Sequence, residues 1–276
     1  MMEGTGALPP TSRSTTPGTL GIRPSVDSLT PDELVALRTG IAKMLAISDD
    51  RGYEFMAGIH GLPLPMYCKH NSPLFLPWHR AYLYSFEQYL MDQEPTVRLP
   101  WWDWADDQAI PDAYGQLLLS DGSSNPLAAA PITGIPDNQF TEDGVPQTGE
   151  TYRQPDTGPD AYLPTPDMVT TALGLDDFLD FTTYLEQQIH NPVHNWVGGT
   201  MAMIPLAAYD PIFWAHHTMI DRIWSLWQQT HPGAGVGTVR LSEPLAPFRP
   251  QLNVGDVLSI SALGYTYAVF SSTAVV

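Results

Sequence analysis

Apolar positions between residues 210 and 229 recur at helical spacing. Phe213, His217, Ile220, Trp224 and Trp227 fall on one stripe, Asp210 offers a cap and Pro211 suits a first turn, so the pattern predicts a helix from here to about Gln229. His217 lies inside that stripe and His216 beside it. Taken alone, a histidine on an apolar helix face is more often a hydrogen-bonded core residue than a ligand.

The same reading organises the rest of the chain. Thr30, Pro31 and Glu33 combine a cap, a proline at the first helical position and a capping-box glutamate ahead of Leu34, Leu37, Ile41 and Met44, which predicts a helix with a structural role. Tyr53, Met56 and His60 continue a helical stripe that Gly61 can end, so His60 should face inward at a helix terminus. The proline-bearing segment 62–72, with Cys68 and His70, reads as a loop. A helix then begins near Pro77 and buries His79, Leu83, Phe86 and Leu90. Trp101, Trp102 and Trp104 are better explained as core than as a ligand platform.

From Ala105 to about Thr165 no period is sustained, which predicts long surface loops packed on the core. The spacing is helical again from Asp176 to Leu185. Pro192 is tolerable only if a new helix starts at about His190, and that places His190 and His194 one turn apart on one face. Gly198 and Gly199 turn the chain toward the 210–229 helix. Near the end, the alternating runs at Val257–Ile260 and Tyr265–Val269 suggest a few strands. Residues 1–20 read as a flexible or surface-laid segment, and 21–276 as a single domain.

Composition narrows the function classes. Hydrophobic residues make up 43% and aromatics 11%, enough for a sizeable core. Twelve basic against thirty acidic residues give a net charge of −18, which repels phosphate backbones and anionic bilayers and argues against nucleic-acid and membrane partners. No apolar run reaches the ~18 residues of a membrane span, and the start lacks a signal-peptide layout, so a soluble protein, secreted or cytoplasmic, is expected. Cys68 is the only cysteine, which excludes an internal disulfide.

Of eight histidines, six fall in two groups of three, each anchored at a helix: His60, His70 and His79, then His190, His194 and His217. Imidazoles with no carboxylate in ligand spacing disfavour magnesium, calcium and glutamate-rich di-iron sites and suit copper or zinc. Dioxygen between two copper ions is the natural candidate, because copper changes oxidation state and zinc does not. Dizinc hydrolysis is weaker, since such sites usually add bridging carboxylates.

These motifs resemble a known family. His60, the Cys68-Lys69-His70 triplet and Phe75 to Arg80 are similar to the first copper-binding region of the tyrosinase, catechol oxidase and haemocyanin family; His190 to Gly199 and Asp210 to Asp221 are similar to its second. The resemblance runs from about Arg23 to Tyr267. It implies a mainly α-helical domain whose four-helix bundle holds a dicopper centre that binds dioxygen, with the first triad on one copper ion and the second on the other. His216 is then a packing or supporting residue, and His231 a solvated loop residue.

Several neighbours acquire roles by the same resemblance. Cys68 matches the cysteine that forms a thioether with the histidine two residues on, here His70; the alternative is a buried free thiol. Asp221 would orient a nearby ligand or pair with Arg222 or Arg80, and Arg23 with Tyr265 and Tyr267 would close the domain through a cation–π contact. Glu186 and Asn191 match the pair that holds a water able to help deprotonate a phenol. Ile204 matches a gate over the first copper, and Asn195, being uncharged, offers no partner to a substrate carboxylate. The chain ends soon after Tyr267, so no C-terminal shielding domain is expected.

The resulting expectation is a tyrosinase-type polyphenol oxidase acting on small phenols with dioxygen. A catechol or o-aminophenol oxidase without hydroxylase activity, and a haemocyanin-like oxygen carrier, are the alternatives. A copper-loading partner is compatible with either, and the oligomeric state stays open.

Overall fold

Thr30 and Glu33 close a capping box around the first turn of α1 (Pro31–Leu45), and Leu37, Ile41 and Met44 are buried along its inner face, as the spacing predicts. The computed structural model describes residues 20–135, 141–142, 145–146 and 149–268, so the segment 1–20 lies outside them apart from Leu20. α2 (Tyr53–His60) and α3 (Phe75–Gln93) follow. Next come α4 (Trp104–Asp107), α5 (Asp112–Gly115), α6 (Pro166–Leu173), α7 (Phe178–Tyr184), α8 (Asn191–Val197) and α9 (Ile212–Thr230). The strands are short: β1 (Gly21–Arg23), β2 (Pro131–Ile132), β3 (Thr141–Glu142), β4 (Val145–Pro146), β5 (Gly149–Glu150), β6 (Pro244–Leu245), β7 (Leu252–Asn253) and β8 (Tyr265–Tyr267). They pair in twos, β1–β8, β2–β5, β3–β4 and β6–β7, which leaves a mainly α-helical fold with long loops. No helix among the described residues is long and apolar enough to cross a membrane.

Aromatic packing joins the helices around the histidines. Phe86 of α3 stacks on Trp214 of α9 with centroids 3.6 Å apart, and the Trp214 indole donates to the Tyr53 hydroxyl of α2 at 3.1 Å. Phe181 of α7 stacks on Trp227 of α9 at 4.7 Å. Trp101, Trp102 and Trp104 are fully buried, as core residues should be. The loops after α4 are tied down by Arg153, whose guanidinium grips Asp210 in a fork at 2.6–3.0 Å and also donates to the Tyr114 and Leu127 carbonyls. Asp210 in turn accepts from the Ile212 N–H at 3.0 Å, so one carboxylate both starts α9 and anchors the loops.

The chain does not break before His190. Residues Leu185–His190 form a π turn that joins α7 to α8, with the Asn191 N–H reaching the Glu186 carbonyl five residues back. Pro192 has no N–H and in an α-helix its ring would strike the carbonyl four residues earlier, so widening this turn accommodates it without ending the helix. Gly198 and Gly199 then adopt φ of 65° and 53°, and a Cβ on them would meet the Gln154 and Tyr152 carbonyl oxygens at 2.1 and 2.3 Å.

Near the C-terminus only part of the predicted strand content forms. Tyr265–Tyr267 is a strand, with Val269 outside the described residues, but Val254–Val257 is a 3₁₀ turn closed by an Asn253–Asp256 capping box, and Ile260 to Gly264 continue in turns. Local side-chain capping there outcompetes an extended run that has no neighbouring strand. β8 pairs in parallel with β1 and sets Arg23 opposite Tyr267. Arg23, fully buried, donates to Glu87 at 3.0 and 3.1 Å and to Asp221 at 3.2 Å, and lies 3.7 Å over the Tyr265 ring. Asp221 also accepts from Arg80, Tyr267 and, at 2.7 Å, Tyr265. It does not pair with Arg222, which rests over the Trp101 ring at 4.1 Å on another face of α9.

Burial would raise the Asp221 carboxyl, but the charges of Arg80 and then Arg23 outweigh it and hold it below its ordinary value. Its stabilising contribution is therefore whole above the unfolded value of about 3.9 and is lost as pH falls through the lower native one. Asp221→Ala, which strands the buried Arg80 guanidinium and leaves Arg23 with Glu87 alone, is expected to cost about 3–5 kcal/mol in denaturant unfolding and to flatten the acid limb of stability.

Candidate metal centre

His60, His70 and His79 come from a helix end, a loop and a helix, and their rings meet. Their centroids form a near-equilateral triangle with sides of 5.6, 5.8 and 5.3 Å. His60 Nδ1 donates to the Ile204 carbonyl at 2.9 Å and His79 Nδ1 to the Phe75 carbonyl at 2.8 Å. Each of these rings thus carries its proton on Nδ1, and each Nε2 is buried with no hydrogen-bond partner among the described residues. A Cβ at Gly61 would strike the Pro205 backbone at 2.4 Å, so glycine is what lets the Ile204–Pro205 segment reach His60. His70 Nδ1 lies 3.4 Å from the sulfur of Cys68, whose thiol burial pushes up to about 12.

The second group is tighter. His190, His194 and His217 point their Nε2 atoms at one another, 3.1 Å apart for His190 and His194 and 3.3 Å for the other two pairs. His194 Nδ1 donates to the Met201 carbonyl at 2.8 Å, and His190 Nδ1 to the Asn191 amide oxygen at 2.9 Å. With the protons of His190 and His194 held at Nδ1, their two bare Nε2 lone pairs face each other beside His217 Nε2, an arrangement that repels unless a proton or a cation sits among them, while His217 Nδ1 is buried with no hydrogen-bond partner among the described residues. A triangle with these sides has its centre about 1.9 Å from each corner, so an ion slightly off the plane meets all three at ~2.0 Å, the usual metal–imidazole distance.

The donor set fits copper. Burial, reinforced by neighbouring imidazoles, holds His60, His79, His190 and His217 well below the ordinary histidine value, and burial takes His70 and His194 down to about 4. All six are then neutral at physiological pH, the form that ligates. The two triads are contiguous: His79 stacks on His217 with centroids 4.6 Å apart. The clusters His190, His194, His216, His217 and His60, Cys68, His70 are together consistent with a dicopper centre.

A cavity of about 230 Å³ opens beside the triads, lined by His60, His70, His190 and His194 and also by Glu186, Asn191, Asn195 and Ile204. Glu186 is buried, accepts from the Asn71 N–H at 2.7 Å, and burial raises its carboxyl. Asn191 meets Glu186 only through its backbone N–H to the Glu186 carbonyl; its side chain accepts from His190 and donates to Gln187 at 3.1 Å. Ile204 and Asn195 are exposed at the rim. His216 is fully buried and accepts from the Trp104 indole at 3.1 Å. His231 is not simply solvated: it stacks on Trp227 at 4.5 Å at the end of α9 and lies 3.4 Å from Asp176. The carbonyls of Ile204, Phe75 and Met201 escaped sequence reading, because a backbone acceptor carries no residue signature; neither did Trp104 reveal itself, since an indole in an aromatic run reads as core.

Comparisons with known proteins agree with this geometry. A family model for tyrosinase, described as the common central domain of tyrosinase, matches residues 50–230. The G-type haemocyanin of Enteroctopus dofleini is 32% identical over 266 residues, covering 89% of this chain and 9% of that protein, and the tyrosinase of Streptomyces glaucescens is 36% identical over 189 residues, covering 60% and 66%. Against four haemocyanins the chain spans 9% to 61% of their length. An octopus haemocyanin functional unit superposes with a TM-score of 0.75 at 29% identity, covering 89% of this chain and 67% of that one. The Burkholderia thailandensis tyrosinase, at 23% identity and a TM-score of 0.74 over 94% and 75%, shares the fold.

Because Asn191 holds the His190 proton, Asn191→Ala is expected to weaken copper binding at the second triad by about 10–100-fold in chelator competition, with His231→Ala unchanged. Equal affinities for the two variants would remove that role from Asn191.

Proposed function

The chain belongs to the tyrosinase family of type-3 copper proteins, and on that footing we propose that it is a tyrosinase-type polyphenol oxidase. His60, His70 and His79 hold one copper ion and His190, His194 and His217 the other. The observation that carries the reading is the cavity of about 230 Å³ against four of these histidines, whose rim residues Ala202, Ile204 and Asn195 are exposed, so a small ring can reach the site from solvent. The copper pair, when bound, supplies the dioxygen chemistry: a monophenol and one dioxygen give an o-quinone and one water, and two o-diphenols and one dioxygen give two o-quinones and two waters.

The chain's own residues bind, orient and deprotonate. A phenol with an ordinary pKa of about 10 must lose its proton on entry. Glu186 lines the cavity, and its Oε2 accepts nothing from the described residues while Oε1 is held by Asn71, so it is placed to take that proton through a water. Burial makes it the more willing base. Asn191 acts on the water less directly, its amide oxygen being engaged by His190. Ile204 caps the entrance with an apolar side chain, and among the described residues the lining contains no lysine or arginine, which favours neutral phenols over amino acids. The 3.4 Å separation of Cys68 Sγ and His70 Nδ1 supports a thioether between these two residues, which would immobilise the loop ligand. Residues 21–276 serve as one catalytic domain.

A haemocyanin-like carrier is the second reading, favoured by the 32% identity to an octopus haemocyanin. Oxygen uptake by copper-loaded and metal-free protein, with a monophenol and separately its o-diphenol, tests between them. Copper-dependent uptake with both is expected. Glu186→Gln should lower the monophenol rate by about 100-fold or more and the diphenol rate far less. Uptake with the diphenol alone makes the protein a catechol oxidase, and reversible oxygen binding with uptake on neither makes it a carrier.

A further inference from the structure

Four imidazoles gather where three are needed. His216 is fully buried, its ring 5.2, 4.9 and 5.1 Å from those of His190, His194 and His217, and one of its nitrogens lies within 4.8 Å of theirs. A fourth neutral imidazole in this position would be expected to complete a tetrahedral set and close the metal to other ligands. Something has to keep it off.

The Trp104 indole supplies the reason. Its Nε1–H lies 3.1 Å from His216 Nδ1, and an indole can only donate, so Nδ1 is bare and its lone pair is engaged. A neutral imidazole has one proton, which must then sit on Nε2. His216 Nε2 is buried with no partner among the described residues. One nitrogen is occupied and the other protonated, so neither can ligate, whichever faces the cluster. The donor is firmly placed: the Trp102 N–H bonds the Ala215 carbonyl at 3.1 Å, next to His216, and Gln108 clasps the Trp104 carbonyl at 2.8 Å. A residue needed only to fill space would not bury an unsatisfied N–H, since an apolar ring packs there without that penalty.

We propose that Trp104 locks His216 in the Nε2–H tautomer and so withholds it from the second triad, keeping one coordination position open for dioxygen or phenol. This rests on the reading that His190, His194 and His217 hold a metal ion. Trp104 and His216 are positioning residues, not catalytic ones.

The test is ¹H–¹⁵N NMR of the imidazole rings in metal-free and zinc-loaded protein, where zinc reports coordination without any oxidase or carrier chemistry. Wild type should show His216 protonated on Nε2 alone, and zinc should shift the nitrogens of His190, His194 and His217 but not those of His216. In Trp104→Phe, zinc should also shift a His216 ring nitrogen to the metal-bound range, and zinc should be released more slowly. A His216 protonated on Nδ1 in wild type, a zinc-induced His216 shift in wild type, or none in folded Trp104→Phe would each overturn the lock. If Trp104→Phe does not fold, the two wild-type spectra decide. Zinc that leaves His190, His194 and His217 unmoved overturns the metal reading itself, and the lock with it.

Discussion

A buried imidazole can hold a metal only if its single proton is kept on the other nitrogen. That constraint shapes the centre. His60, His79 and His194 donate Nδ1–H to backbone carbonyls and His190 to a side-chain amide, each at 2.8–2.9 Å. The acceptors are Ile204, Phe75, Met201 and Asn191, the first three through their backbone carbonyls. The cost is paid in the metal-free state, where each unsatisfied buried nitrogen is worth about 1–3 kcal/mol against folding. A cation placed among the Nε2 atoms relieves that penalty, so metal binding and folding stability are coupled here.

Around the histidines, charge does what aromatic packing alone does not. Asp221 and Glu87 together neutralise Arg23 and Arg80 in the interior, and β1 and β8 bring Arg23, Tyr265 and Tyr267 to that point from opposite parts of the chain. Asp221 sits one turn beyond His217 on α9, and Arg80 follows His79 on α3. The same cluster therefore ties α3 to α9 directly beneath the two histidines that stack across the triads. Losing its charge balance loosens the frame that sets their spacing.

Much of this was legible in the sequence. Helix spacing placed His60 at an inward helix end and set His190 and His194 on one face, and in the structure His60 ends α2 buried and the His190 and His194 Nε2 atoms meet at 3.1 Å; it also set His217 on the apolar stripe and His216 off it, whereas both are buried. What escaped falls into two kinds. The first is backbone chemistry: the carbonyls of Ile204 and Met201, the Asn71 N–H and the π turn before Asn191 leave no residue signature, and Pro192 signalled a disturbance without saying whether the helix would break or widen. The second is competition among good partners. Asp221 had two arginines in plausible reach by sequence, and only packing shows that Arg222 goes to Trp101 while the more distant Arg23 takes its place.

That two histidine triads each take one copper ion is the claim on which the rest depends, and binding stoichiometry tests it directly. Metal-free protein titrated with copper(I) against a competing chelator should take up two ions per chain, with His79→Ala and His217→Ala each reducing the count to one. A wild-type stoichiometry of one, or two ions unaffected by either substitution, would contradict it.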